Sequence, residues 1–257
     1  MNDCDLTVDD GVRIHYLDAG SGEPALIFVH GWCSNADHFE NQYAHFASDH
    51  RVLGIDRRGH GRSDVPDSGY SAERHAHDLA AILDHEGIAT AVIIGHAGGC
   101  PSVLRFAADH PDRCRGLVLL DTRISASADL RGADSASPLA QMVEAIADDD
   151  TFRTIYRGFV APGRADLAES LVLDAQRVPR PVAQQDLASI AVDTVAFARQ
   201  VQCPVLWLTA EPADQETLSE VFTSIEFHQV TDSGHFVQLE VPHQVNAAIE
   251  DFLEGRY

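Results

Sequence analysis

Basic residues are scarce in this chain: 18 Lys plus Arg stand against 40 Asp plus Glu, a formal net charge of −22. Such a surface repels phosphate backbones and anionic bilayers, which argues against nucleic-acid or membrane partners. Also missing is any apolar run of 18 residues, and no basic segment leads into an apolar one at the start. Neither a membrane span nor an export signal is expected, and the expected compartment is the cytoplasm. Cysteines are few and show no pairing pattern. Cys4, Cys33, Cys100, Cys114 and Cys203 are odd in number, widely spread and without a CxxC, which fits neither a disulfide framework nor a zinc site. Reduced thiols are expected. The 14 histidines do not supply a metal centre either, because His75 and His77 stand two apart on a predicted helix and cannot share a face. No internal repeat or low-complexity tract occurs; SASADLRGADSAS at 125–137 reads as a polar loop.

What is present is a chain of 257 residues, 45% hydrophobic, enough for one large α/β domain or two small ones. Short apolar runs alternate with amphipathic helical patterns, as parallel strands joined by crossover helices do. Strands are predicted at 12–17, 25–30, 51–55, 91–94, 116–120, 204–209 and 226–230. The first two flank the turn-rich AGSGEP and are expected to form an antiparallel lead-in to the sheet. Val245, Ala248, Ile249, Phe252 and Leu253 make one apolar helical stripe near the C-terminus, and Leu79, Ile82 and Leu83 a shorter one. Between 123 and 200 the alternation breaks, strand-like runs are few, and Ala, Asp, Arg and Pro dominate. A small helical cap over 123–200 is expected, inserted into a core of 1–122 and 201–257. The fold class expected is therefore α/β, a mostly parallel sheet with helices on both faces.

The chemistry concentrates at turns. Gly95-His96-Ala97-Gly98-Gly99 follows a buried-looking strand and precedes a helix, and it fits G-x-S-x-G with Ala97 in the serine position. Such an elbow holds a nucleophile on a tight bend whose flanking glycines let strand and helix close on each other. Pro101 falls in the first helical turn, where its missing N–H costs nothing. The simpler alternatives are glycines that end a strand and admit a helix, or a loop that cradles a phosphate at a helix N-terminus; GHAGGC does not match a dinucleotide-binding G-x-G-x-x-G. The strand at 25–30 ends in His30-Gly31-Trp32, a loop able to offer the Trp32 N–H to a developing oxyanion, with the Gly98 N–H as second donor. His235, in Ser233-Gly234-His235-Phe236, sits on a loop where a general base belongs.

Together these segments resemble the α/β-hydrolase superfamily over nearly the whole chain outside the cap: VHGW at 29–32, DRRGHGRSD at 56–64, GHAGG at 95–99, LVLLD at 117–121 and SGHFVQLEVP at 233–242. The resemblance implies the order nucleophile, acid, histidine, with residue 97 and His235 in the outer places. The acid is Asp121, at the end of LVLLD, or Asp214, after the next strand; Asp121 is favoured. His30 and His96 beside the turns, and Phe152, Tyr156 and Phe159 of the cap, are candidate substrate contacts. No cofactor or metal is implied, the partner expected is a small molecule, and the assembly expected is a monomer or homodimer. Fold-level resemblance is weakly specific for substrate.

Ala97 departs from the pattern. A serine there would attack an acyl carbon while His235 takes its proton; alanine keeps the cavity and the donors but forms no acyl-enzyme. Two explanations compete, a serine exchanged for alanine by design and a natural loss of the nucleophile. Intact HGW and SGHF segments favour the first. Cys100 and Ser102 lie beyond the elbow within the helix and are discounted as substitutes. The expected activity is hydrolysis of a small carboxylic ester or lactone by a Ser-His-Asp mechanism, inactivated here because Ala97 replaces the nucleophilic serine. The alternatives are a cofactor-free ring-cleaving dioxygenase, since Gly31-Trp32-Cys33 is similar to a tripeptide of such members, and a non-catalytic ligand-binding protein.

Overall fold

The computed structural model describes residues 1–126, 138–254 and 256. The loop expected at 125–137 therefore lies, from 127 on, outside the described residues. Eight strands form one sheet in the order β1-β2-β4-β3-β5-β6-β7-β8. They are β1 (Asn2–Thr7), β2 (Arg13–Ala19), β3 (Ala25–Val29), β4 (Val52–Ile55), β5 (Ala91–His96), β6 (Cys114–Leu120), β7 (Val205–Thr209) and β8 (Ile225–Gln229). From β4 to β8 every pairing is parallel, and β2 runs antiparallel to both β1 and β4.

Alternation along each central strand divides its side chains between two cores. Ile27 and Val29, Ala91 and Ile93, Leu117 and Leu119, and Val205 and Trp207 face one side; Leu26 and Phe28, Val92 and Ile94, Val118 and Leu120, and Leu206 and Leu208 face the other. Both faces being covered, these strands read as unbroken apolar runs. The first face packs under α2 (Ala72–His85) and α3 (Cys100–Asp109), the second under α1 (Glu40–Phe46) and the C-terminal helix, whose stripe of Val245, Ala248, Ile249, Phe252 and Leu253 is buried as its spacing predicts.

Two expectations are corrected. No hairpin joins 12–17 to 25–30: β4 lies between β2 and β3, and β2 pairs instead with β1. The turn-rich AGSGEP thus serves a crossing, not a tight reversal. The strand β1 is absent from the set that the sequence pattern predicts.

Between β6 and β7 the chain forms α4 (Pro138–Ala145), α5 (Asp149–Arg157), α6 (Ala165–Ala175), α7 (Arg180–Ser189) and α8 (Thr194–Ala198). Side chains of α5, α6 and α7 share a core with Trp32, Cys33, Tyr70 and Phe236. Phe197 and Ala198 of α8 lie in the main core against α3.

Two buried ion pairs brace the turn after β4. Arg58 donates from Nε and Nη2 to Asp78 at 2.7 and 2.9 Å, and Arg57 binds both oxygens of Asp186, on α7, at 3.1 and 2.8 Å. Removing one partner of such a pair costs about 3–5 kcal/mol, because the other charge is left buried without compensation.

Candidate active site

At the carboxyl end of the sheet, loops after β3, β5, β6, β7 and β8 surround one cavity of about 800 Å³, the position that open α/β sheets use for ligands. Its wall includes Trp32, His96, Ala97, Gly98, Asp121 and His235 from the core and Leu139, Met142, Phe159, Leu187 and Ile190 from the insertion.

The bend between strand and helix is tight. β5 ends at His96, a short 3-10 turn runs over Ala97–Gly99, and α3 begins at Cys100 with Pro101 in its first turn. Ala97 has φ 47°, a left-handed conformation that costs an L-residue with a Cβ about 1–2 kcal/mol and is characteristic of functional turns. The bend needs glycine at 99, where a Cβ would lie 2.3 Å from the His30 carbonyl oxygen. Neither backbone can yield there. Gly99→Ala is expected to cost about 3 kcal/mol and lower Tm by about 10 °C; a melting point within about 2 °C of the parent would contradict this packing.

Asp121 directly follows β6 and also has a positive φ, 41°. Its Oδ2 accepts from His235 Nδ1 at 2.6 Å and its Oδ1 from the Ala210 N–H at 3.0 Å. Burial works against the charged carboxylate, but the His235 bond and charge, with the Ala210 amide, outweigh it and hold the Asp121 pKa below its ordinary value. With Nδ1–H committed to the carboxylate, Nε2 of a neutral His235 is left as an acceptor. Asp214, the other candidate acid, is exposed and caps α9 (Gln215–Val221), accepting from Thr217 N and Oγ1 at 3.2 and 2.7 Å. It lines the mouth of the cavity and does not touch His235.

His96 lies beneath the histidine loop, its Nε2 donating to the His235 carbonyl at 2.9 Å. Burial, with the neighbouring His235, pushes its pKa down to about 3. The His235 N–H in turn donates to the Phe159 carbonyl at 2.6 Å, so elbow, histidine loop and insertion are stitched together. Phe159 and His96 line the cavity. His30, Phe152 and Tyr156 do not. His30 is wholly buried, accepting from the Arg57 N–H at Nε2 and donating from Nδ1 to the Gly31 carbonyl. Phe152 and Tyr156 are likewise fully enclosed in the insertion's core, ring against ring at 5.7 Å. Aromatic side chains at helical spacing have a core to fill before a ligand to meet.

Trp32 lies at the cavity with its indole N–H on the Ala183 carbonyl at 2.8 Å. A Cβ on Gly98 would stand 3.1 Å from the Trp32 nitrogen, so the two expected oxyanion donors are neighbours. Cys100 and Ser102 are buried in α3. Ser102 Oγ donates to the Gly99 carbonyl, and burial raises the Cys100 thiol to about 12; neither is a nucleophile. A second serine, histidine and aspartate run, Ser34 Oγ to His38 Nδ1 at 2.5 Å and His38 Nε2 to Asp174 at 3.3 Å, has its serine buried and off the cavity wall. It ties the loop after β3 to α6. Among the described residues no group of three or more His, Cys, Asp or Glu side chains is placed to hold a metal ion.

Buried neutral histidines make stability depend on pH. His75, pushed down to about 4 chiefly by burial, and His96, down to about 3, start from an ordinary 6.5. Between these values the unfolded chain binds protons that the native one does not, so stability is full above about pH 6.5 and falls as pH drops toward 4. Urea midpoints at pH 7.5, 6 and 5 should decline in that order; a flat series would contradict the buried neutral state.

The eight-stranded, mostly parallel sheet covered by helices, with a cavity at its carboxyl end, defines an α/β protein. The family model of the alpha/beta hydrolase fold matches residues 24–177, and the chain belongs to that family. A non-heme chloroperoxidase of Streptomyces lividans is 41% identical over 119 residues, 45% of this chain and 43% of that protein. A bifunctional esterase/perhydrolase of Acinetobacter calcoaceticus is 37% identical over 109 residues, 42% of this chain and 40% of that one. The matched segment thus spans under half the length of either relative. Among solved structures, Est816, described as an N-acyl homoserine lactone degrading enzyme, superimposes with TM-score 0.82 at 26% identity over 96% of this chain and 99% of its own. No helix among the described residues is long and apolar enough to cross a membrane.

Proposed function

We propose that this site is that of a carboxylic ester or lactone hydrolase whose nucleophile position is occupied by Ala97. One observation carries the reading: His235 Nδ1 lies 2.6 Å from Asp121 while both residues line the same cavity as Ala97 at the elbow. In the serine form, Oγ would attack an acyl carbon, His235 Nε2 would take its proton and Asp121 would keep the imidazole in the accepting tautomer. The N–H groups of Trp32 and Gly98 would meet the oxyanion. With alanine, an ester or lactone binds and no acyl-enzyme forms. The names of the esterase/perhydrolase relative and of the lactone-degrading neighbour agree with acyl chemistry. The substrate is a small molecule entering between sheet and insertion, against an apolar wall of Leu139, Met142, Phe159, Leu187 and Ile190. No cofactor takes part. Restoring Ala97→Ser and measuring burst release from an activated ester tests the proposal; no burst and no gain over the alanine form refutes it.

A second reading rests on the paired Asp121 and His235 in a cavity without a side-chain nucleophile at 97. A base so held can deprotonate an acidic substrate, as cofactor-free dioxygenation of a hydroxyquinolone requires. Oxygen uptake by the alanine form with such substrates would support it, and a flat electrode trace removes it.

A further inference from the structure

We infer that the buried Arg57–Asp186 pair is a positioning device for the oxyanion site, because it holds the Gly31 carbonyl and so turns the N–H of the same peptide unit, that of Trp32, into the cavity. The inference rests on the hydrolytic reading for its catalytic consequence, not for its geometry.

A peptide unit is planar, and in the trans form its C=O and N–H point in opposite directions. Among the described residues the cis peptide bond is Glu23–Pro24, and the Gly31–Trp32 unit is trans. Its oxygen accepts from His30 Nδ1 at 2.8 Å and from Arg57 Nη2 at 3.1 Å. Neither His30, Arg57 nor Asp186 lines the cavity, so the carbonyl faces inward and the N–H faces the other way. Among the described residues, no carbonyl or side chain accepts from that N–H.

Arg57 can hold this post because its own position is over-determined. Nη1 and Nη2 reach the two Asp186 oxygens at 3.1 and 2.8 Å, Nη1 lies 3.3 Å from His75 Nε2, and both charged side chains are almost wholly buried. A bidentate pair fixes the plane of a guanidinium as a single contact does not. The next two carbonyls are treated alike: Tyr156 Oη donates toward Trp32 O at 3.3 Å and Cys33 O at 3.0 Å, and Cys33 is held at φ 50°. Since Asp186 and Tyr156 belong to the insertion, the helices that wall the cavity also set the aim of an oxyanion donor.

The test uses the ¹⁵N-labelled protein as it stands, with butyrate as a carboxylate probe of the donors. In the parent, the Trp32 amide should move downfield on titration. In Asp186→Asn, checked for folding by near-UV circular dichroism, that movement should be about halved or less, and Asp186→Glu should recover part of it. Arg57→Lys serves if Asp186→Asn does not fold. In an Ala97→Ser background the same change should lower kcat about 30-fold with KM within about threefold, the signature of a misaimed transition-state donor. An unmoved Trp32 amide in the parent, or an unaltered response in a folded variant, overturns the inference. If Ala97→Ser gains no esterase activity while the Trp32 response still depends on Asp186, the hydrolytic reading fails and the positioning role stands.

Discussion

Ala97→Ser should convert the chain into an active esterase, with burst release of p-nitrophenol from p-nitrophenyl butyrate and a steady-state gain of about 10⁴-fold or more over the alanine form. The size follows from what the remaining groups do without a nucleophile: in a related mechanism, losing the serine alone costs about 10⁶ in kcat, and donors and binding retain about 10³–10⁴ over water. Little rearrangement stands in the way. Residue 97 already has the left-handed φ of 47°, Gly99 already admits α3 against the His30 carbonyl, and the added oxygen replaces one methyl hydrogen. His96 and Thr122 brace the same turn, Thr122 Oγ1 donating to the Ala97 carbonyl at 3.2 Å. A stoichiometric burst with slow turnover would place deacylation as the limiting step and still support the proposal. Absence of any gain would sink it.

Asp121→Asn in the serine form should lower kcat by about 10⁴, whereas Asp214→Asn should stay within about threefold. The asymmetry is a matter of tautomers. The Asp121 carboxylate accepts at 2.6 Å from His235 Nδ1, which leaves Nε2 free to take the serine proton. An asparagine amide there can donate to Nδ1, placing the proton on Nε2 and blocking the base, and a loss near 10⁴ accompanies that swap in the serine-protease triad. Asp214 is fully exposed and caps α9, and asparagine caps nearly as well. Initial rates with one activated ester decide between the two; equal losses, or a loss confined to Asp214→Asn, would reassign the acid.

Much of this architecture is legible in the sequence because the central strands are buried on both faces and so appear as apolar runs. The failures have physical causes. β1, with Asn2, Asp3 and Asp5 exposed on the sheet edge, has too little apolar surface to register as a strand. The pattern gives its partner β2 the wrong neighbour because strand order is set by crossovers, and the insertion of β4 leaves no local trace. Phe152 and Tyr156 carry the residue types of a cavity wall, yet only packing decides which aromatic faces a ligand. Asp121 and Asp214 follow successive strands in similar surroundings, and the choice between them depends on where a loop 114 residues from Asp121 returns. Arg57 and Asp186, 129 residues apart, offer no signal: one is embedded in DRRGHGRSD, the other in a segment without a motif.

The most direct measurement is covalent labelling. A fluorophosphonate mixed with the Ala97→Ser protein should give one adduct, located by peptide mass spectrometry on residue 97 and absent when His235 is also changed to alanine. An unlabelled protein, or a label on Ser34 or Ser102 instead, would show that the methyl of Ala97 does not mark the place of an attacking oxygen.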